Sequence, residues 1–428
     1  MRVLVVGGGG REHALCWALH RDLLNADNLF CAPGNPGTAE LATNLPIGPQ
    51  DDEHLIAAAR HEVIELIVIG PEAPLARGLA DRLRAAGLLV FGPSAAAARI
   101  ESSKAFAKEV MAAAAIPTAP SRTFSELTAA IAYVDRHAEP LVVKASGLAA
   151  GKGAIICATR KEARHTLTAI LRDGMFGDAG KEVVVESFLE GEELSVLAIS
   201  NGTELVVLPA AQDHKRLREN DLGPNTGGMG AYSPVSLATP DLVERVEARV
   251  FRPALDELAR RNTPFTGVLY AGLMVDGAGS FHVIEFNCRL GDPEAQVILP
   301  RIRSGLLDCL LAAARGEPLP ALKASTGKAV TTVLAAAGYP GEPRRGDPIV
   351  IPDHLPRGCT VFHAGTQRDE SGTLRTNGGR VLAVTAMAPT FQEAQDASRT
   401  AAESIQFEGK QFRKDIGWRE ARRVGASP

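Results

Sequence analysis

The chain is expected to be an α/β and α+β multidomain protein that opens on a parallel sheet and ends in a β-rich domain. Three observations carry this. Its 428 residues, at roughly 100–200 per domain, suit two to four domains. The first hundred residues alternate short apolar runs with helical stretches, and a glycine break closes each run. Beyond Lys328 the chain is dominated by strand-like runs.

In chain order, Val3–Val6 is an apolar run followed by Gly7–Gly10 and a helical stretch from Arg11 to about Leu24. Leu66–Ile69 closes on Gly70-Pro71, and Leu88–Phe91 on Gly92-Pro93. Apolar strands separated by helices build a parallel sheet covered on both faces. Ligand sites of such sheets lie at the carboxyl ends of the strands, where all three glycine breaks fall. The first unit therefore spans 1–103 and is expected to bind substrate. A helix from Ser102 to Ala115 stops at Ile116-Pro117. Residues 118–190 form a compact α+β unit with strands at Leu141–Lys144, Ala154–Cys157 and Val183–Glu186. Residues 104–117 and 191–325 form a third unit, with strands Leu194–Ile199, Leu205–Pro209, Gly267–Val275 and Phe281–Phe286 and helices at 240–261 and 294–315. Ala321–Gly327 reads as a linker to the last unit, 326–428, whose strands are Ala329–Ala335, Ile349–Ile351, Thr360–Ala364 and Arg380–Ala386.

Composition excludes several classes. Hydrophobic residues at 45% and charged residues at 22% are ordinary globular values, not those of a disordered or fibrous chain. A net charge of −4 without a basic block argues against nonspecific nucleic-acid binding, which needs clustered cations. One local cationic pocket still suffices for a small anionic substrate. Cys16, Cys31, Cys157, Cys288, Cys309 and Cys359 are scattered and form no C-x-x-C pair, as in a reduced compartment. No apolar run approaches the ~18–20 residues of a membrane span, and the chain enters a strand at once, with no signal-peptide pattern. A cytoplasmic protein is expected, and a monomer, since no apolar interface stripe is evident.

Four motifs carry chemistry. Gly7–Gly10 invites the dinucleotide fingerprint, but Glu12 and His13 stand where its third glycine belongs, and no ribose acid follows ~20 residues later. A tight turn for helix–strand packing and an anion contact at the helix N-terminus both remain open. Lys144 enters the loop Gly147–Gly153, which leads into a strand; a P-loop would lead into a helix. The pattern is a β-hairpin with a mobile tip, whose amides can close on phosphate oxygens while Lys144 supplies a point charge. A solvated surface hairpin is the alternative. Val185–Glu193 ends a strand in several carboxylates; beside the hairpin it suits an adenosine, with a backbone edge for adenine and an acid for the ribose. Val283–Arg289 places Glu285, Asn287 and Arg289 on one face, because side chains repeat every second residue. Such oxygens suit Mg²⁺ beside phosphates, and the arginine can hold an anion; a purely structural Glu–Arg pair is the alternative.

These residues resemble a known family. Gly7–Ala14, Pro33–Gly37, Gly70-Pro71-Glu72, Lys144–Gly153, Gln212–Arg216, Gly223–Gly230 and Glu285–Glu294 are together similar to the phosphoribosylamine–glycine ligases, within the ATP-grasp superfamily. The likeness runs from residue 1 to about 420, in the family's order. The segments 212–216, 223–230 and 285–294 are specific to the ligase, whereas the glycine loop and the Glu-x-Asn face are shared by the superfamily. No further catalytic domain follows, so a monofunctional enzyme is expected.

The resemblance implies a pre-ATP-grasp N-terminal domain, an ATP-grasp core with a mobile lid over 118–190, and a β-rich C-terminal domain. It implies that ATP, glycine and 5-phosphoribosylamine become ADP, phosphate and glycinamide ribonucleotide through glycyl phosphate, in purine biosynthesis. Lys104 and Lys144 would hold α- and β-phosphate oxygens under the loop that includes Gly151 and Gly153. Glu186 and the backbone through Leu189 would meet adenine, and Glu193 or Glu192 the ribose. Glu285 and Asn287 would bind Mg²⁺ or Mn²⁺. Arg289, with Lys215, would steady the acyl phosphate. Asp213, Asp292 and Glu294 are candidates for the glycine ammonium or the sugar amine. Gly10, Arg11, Glu12, Glu72 and Arg380 would contact phosphoribosylamine. Many superfamily members carry a second metal carboxylate on the preceding strand, where Ala271 stands near the expected position. Either Glu294 substitutes, or phosphates and water hold that ion.

Overall fold

The computed structural model describes residues 1–23, 25–149 and 151–425. Leu24 of the first expected helix, Ala150 of the glycine loop and the last three residues of the tail unit lie outside them.

The expected N-terminal sheet is present and parallel throughout. Its order is Thr43–Asn44, Leu29–Pro33, Val3–Gly7, Leu66–Ile69, Val90–Phe91. Leu29–Pro33 lacks β-branched residues, which is why its sequence gave no strand signal. The last strand is shorter than the expected Leu88–Phe91, because the Leu88 N–H closes the preceding helix onto the Leu83 carbonyl.

Three larger antiparallel sheets, of four or five strands each, follow among the described residues. One runs Leu205–Val207, Glu192–Asn201, Thr266–Val275, Phe281–Asn287. A second runs Ser121–Phe124, Val183–Ser187, Leu141–Ala145, Ala154–Cys157, and its last pair is the expected hairpin. A third runs Gln212–Asp213, Gly230–Ser233, Lys328–Ala335, Arg380–Ala388, Cys359–His363. The tail sheet thus borrows two strands from earlier in the chain, which brings Asp213 to its edge.

Several expectations are corrected. The helix expected over Ser102–Ala115 is present as Lys104–Ala113, opened by Ser103, whose hydroxyl accepts from Phe106 N at 3.2 Å, and an unexpected helix, Ala95–Ser102, precedes it. Lys104 therefore opens a helix instead of sitting inside one. The helix expected at 294–315 splits into Ala295–Ile298 and Leu306–Arg315 around Pro300 and Gly305, the latter at φ 90°. Between them Ile302–Ser304 pairs with Lys323–Ala324, inside the expected linker. Ile349–Ile351 forms no strand, only an isolated bridge from Val350 to Gln406. The tail also contains helices Phe391–Ser404 and Trp418–Gly425. Among the described residues no helix is long and apolar enough to cross a membrane.

Candidate active site

A cleft of about 450 Å³ opens between the hairpin sheet and the sheet that ends in Phe281–Asn287. Strand alternation builds one wall. Glu285 pairs with Gly272 and Asn287 with Tyr270, so all four share the cleft face. Ala271 pairs with Phe286 and is buried in the core, so it is not the cleft-facing position of that strand; Tyr270 and Gly272 are. A Cβ on Gly272 would come within 3.2 Å of Glu285 Cγ. Arg289 lies beyond the strand end but returns to this wall, donating to Asn287 Oδ1 at 3.2 Å. Burial pushes the Glu285 carboxyl up, and Lys215, Lys144 and Lys104 outweigh it, so the net shift is downward.

The hairpin forms the opposite wall. The Lys144 ammonium meets Glu186 at 2.9 Å and donates to the Ile284 carbonyl at 2.8 Å. Lys108, one helical turn after Lys104, reaches the other Glu186 oxygen at 3.2 Å. Lys104 donates to the Gly147 carbonyl at 3.3 Å. Burial lowers the pKa of Lys104 and Lys108, against the pull of Glu285 and Glu186 respectively. Gly151, Gly153 and Leu189 also line the cleft.

Alternation along Glu192–Asn201 separates its two leading acids. Glu192 is held by Arg423 at 2.5 Å, whereas Glu193 faces the cleft and pairs with Lys215. Asp213 stands 4.0 Å from Lys215. Burial raises the Asp213 carboxyl to about 8; Lys215 opposes the rise, and Glu294, Glu193 and Glu285 add to it. Burial pulls Lys215 down, but Asp213 and Glu193 carry it well above its ordinary value. The Glu294 carboxylate accepts from Ser195 and Tyr270, each at 3.1 Å.

At the mouth an ionic chain joins the N-terminal sheet to this floor. Arg289 contacts Glu101 at 2.8 Å and Glu72 at 3.2 Å, and Glu72 lies 3.7 Å from Arg11. Burial raises the Glu72 carboxyl, but Arg289 and Arg11 reverse this and hold it at about 2. Arg380 pairs with Asp292 at 3.0 Å, and Gln296 donates to the other Asp292 oxygen at 2.9 Å. Gly10 and Glu12 are not among the cleft-lining residues. Glu12 accepts from Gly9 N at 2.7 Å and pairs with Arg11 at 2.6 Å, so this side chain itself caps the first helix. Gly10 lies against Gln296, whose Nε2 a Cβ would approach to 2.7 Å.

Lys108, Glu101, Ser195 and Tyr270 were absent from the sequence candidates. The Lys-x-x-x-Lys spacing from Lys104 to Lys108 was a usable signal, since residues four apart share a helix face. Nothing local marks the other three. Glu285 and Asn287 offer one carboxylate and one amide oxygen, a donor set that fits Mg²⁺ shared with phosphates and water. Among the described residues no cluster of three His, Cys, Asp or Glu side chains could hold a metal ion alone.

Comparison with known proteins agrees along the whole chain. Residues 1–101, 102–295 and 329–419 match the phosphoribosylglycinamide synthetase N domain, ATP-grasp (A) domain and C domain. The phosphoribosylamine–glycine ligase of Ralstonia nicotianae is 48% identical over 428 residues, covering 99% of this chain and 100% of the relative. The Escherichia coli ligase is 45% identical, covering 99% of both. The crystal structure of the Thermotoga maritima phosphoribosylamine–glycine ligase superposes with a TM-score of 0.86 at 34% identity, covering 97% of this chain and 100% of that one. With this agreement of sequence, domain order and fold, the chain belongs to the phosphoribosylglycinamide synthetase, or phosphoribosylamine–glycine ligase, family.

Proposed function

We propose that this chain ligates glycine to 5-phosphoribosylamine at the expense of ATP, giving glycinamide ribonucleotide, ADP and phosphate in purine biosynthesis. The observation that carries the reading is the meeting of Lys104 and Lys144 with Glu285, Asn287 and Arg289 around one cleft. A carboxylate is a poor electrophile, because expelling oxide is unfavourable. Glycine's carboxylate therefore attacks the γ-phosphate first, and the sugar amine then displaces phosphate from glycyl phosphate. Both steps gather negative charge, so cations and positioning do the work and no protein nucleophile is needed.

In this reading Lys104 and Lys144 hold the α- and β-phosphates, and the loop with Gly151 and Gly153 covers them. Glu186 and the backbone through Leu189 receive adenine, and Glu193 the ribose. Arg289 and Lys215 steady the acyl phosphate. Asp213 and Glu294 receive the glycine ammonium, since Arg380 and Gln296 already occupy the Asp292 carboxylate. Arg11, Glu72, Asp292 and Arg380, which line the cleft, form the phosphoribosylamine side. Glu285 and Asn287 are the residues that would hold Mg²⁺ or Mn²⁺, which when bound neutralises charge on the transferring phosphoryl group.

Residues 1–103 act as the substrate domain, 104–117 with 191–325 as the core, 118–190 as a lid and 326–428 as the closing domain. The lid moves to shelter the phosphates from water. The protein acts as a cytoplasmic monomer. The test is ADP release with glycine and freshly generated phosphoribosylamine in the presence of Mg²⁺; dependence on both substrates is expected, and no turnover with both present overturns the reading.

A further inference from the structure

Glu294 is held in an unusual way for an acid that lines a cleft. It is almost fully buried, at 4% exposure. One carboxylate oxygen accepts from both the Ser195 and Tyr270 hydroxyls at 3.1 Å, and those hydroxyls are themselves 2.8 Å apart. The other lies over Gly291, where a Cβ would approach it to 2.5 Å. The hydroxyls come from neighbouring strands: Ser195 pairs with Gly272, and Leu197 with Tyr270, so Ser195 and Tyr270 lie two positions apart on one face. Glycine at 272 leaves that face open between them.

Two hydroxyls converging on one oxygen fix the carboxylate plane and leave its remaining lone pairs for something else. Tyr270, Glu294 and Asp213 all border the cleft, and Lys215 is the nearby cation, already shared between Asp213 and Glu193. Charged-group hydrogen bonds depend on orientation, and a carboxylate free to rotate would lose part of its contact with an incoming ammonium. We propose that Tyr270 and Ser195 are positioning residues for the amino acid substrate: they lock Glu294 in the orientation that receives the glycine ammonium. This rests on the reading above, in which Glu294 meets that ammonium.

The test is steady-state ADP release at saturating ATP and phosphoribosylamine with glycine varied, on Tyr270→Phe, Ser195→Ala, Ser195→Thr and Glu294→Gln. Tyr270→Phe and Ser195→Ala are expected to raise the glycine KM about tenfold, with kcat changed much less and the ATP KM unmoved, as for loss of an interaction made in the bound state. Ser195→Thr, which keeps a hydroxyl, restores most of the loss. Glu294→Gln raises the glycine KM at least as far. If Glu294→Gln raises it while the hydroxyl variants do not, the positioning role is overturned and the Glu294 reading survives. A glycine KM insensitive to Glu294→Gln overturns both. An equal rise in the KM of ATP and glycine means general distortion and overturns the proposal. If Tyr270→Phe fails to fold, glycine titration calorimetry on Ser195→Ala with a non-hydrolysable ATP analogue decides, a loss of glycine affinity being expected and an unchanged affinity overturning it.

Discussion

Lys144 and Ile284, 140 residues apart in the chain, are joined by a 2.8 Å hydrogen bond from the lysine ammonium to the backbone carbonyl. The bond ties the glycine hairpin to the strand that presents Glu285 at the next residue. With Glu186 as a second partner at 2.9 Å, the ammonium keeps one of its three N–H groups for a ligand.

Lys144→Ala and Glu285→Ala should each lower turnover by at least ~10²-fold, since each removes a fixed charge from phosphoryl transfer. ADP release with both substrates present measures this. A near-normal rate in either variant contradicts the assigned roles.

Lys108→Met leaves Glu186 buried with a single cation. Breaking a buried, paired charge in this way should destabilise the fold by ~3 kcal/mol, read from denaturant unfolding.

Acid should weaken the fold through three buried histidines. Burial holds His13 and His214 at about 3 and His363 at about 4, while an unfolded histidine titrates at about 6.5. The unfolded chain therefore binds more protons in this window, so the contribution is complete above the unfolded value and is lost as pH falls from there through the folded values. His13 Nδ1 also accepts from His363 N at 2.8 Å, a bond that protonation there abolishes. Denaturant midpoints should drop between pH 7.5 and 5, and His363→Gln should flatten the drop.

Asp213 carries the opposite slope. Its folded value of about 8 lies above its ordinary range, so the folded chain holds a proton that the unfolded chain releases, and stability falls as pH rises toward that value. Asp213→Asn removes this titration. The stability of the variant relative to the parent should increase from pH 6 to pH 9, in the absence of substrates; a constant difference would contradict the assignment.

Legibility followed locality. The Val3–Gly7 and Leu66–Ile69 strands were readable because parallel strands buried on both faces are continuous apolar runs. The Leu141–Cys157 hairpin was readable because its glycine loop leads into a strand. Helix Ala95–Ser102 was not, since a run of alanines carries no apolar–polar periodicity to mark it. Helix Phe391–Ser404 escaped notice beside the strand-rich runs before it, although Thr390 and Glu393 form a capping box. The superfamily pattern points to Ala271 as the second metal position; pairing with Phe286 puts it on the face opposite Glu285 and Asn287, because alternation admits only every second residue to a face.

The order of residues by itself determined the parts: a parallel sheet with glycine at its strand ends, a basic hairpin, an acid–amide strand and the motif order of one ligase family. These are properties of short segments, set by periodicity, glycine and charge. Tertiary structure alone decided which charges meet. Arg289 finds Glu101, Lys108 finds Glu186, and Ser195 finds Tyr270 across 75 residues, because strand register and sheet packing, which no local pattern encodes, bring them into contact.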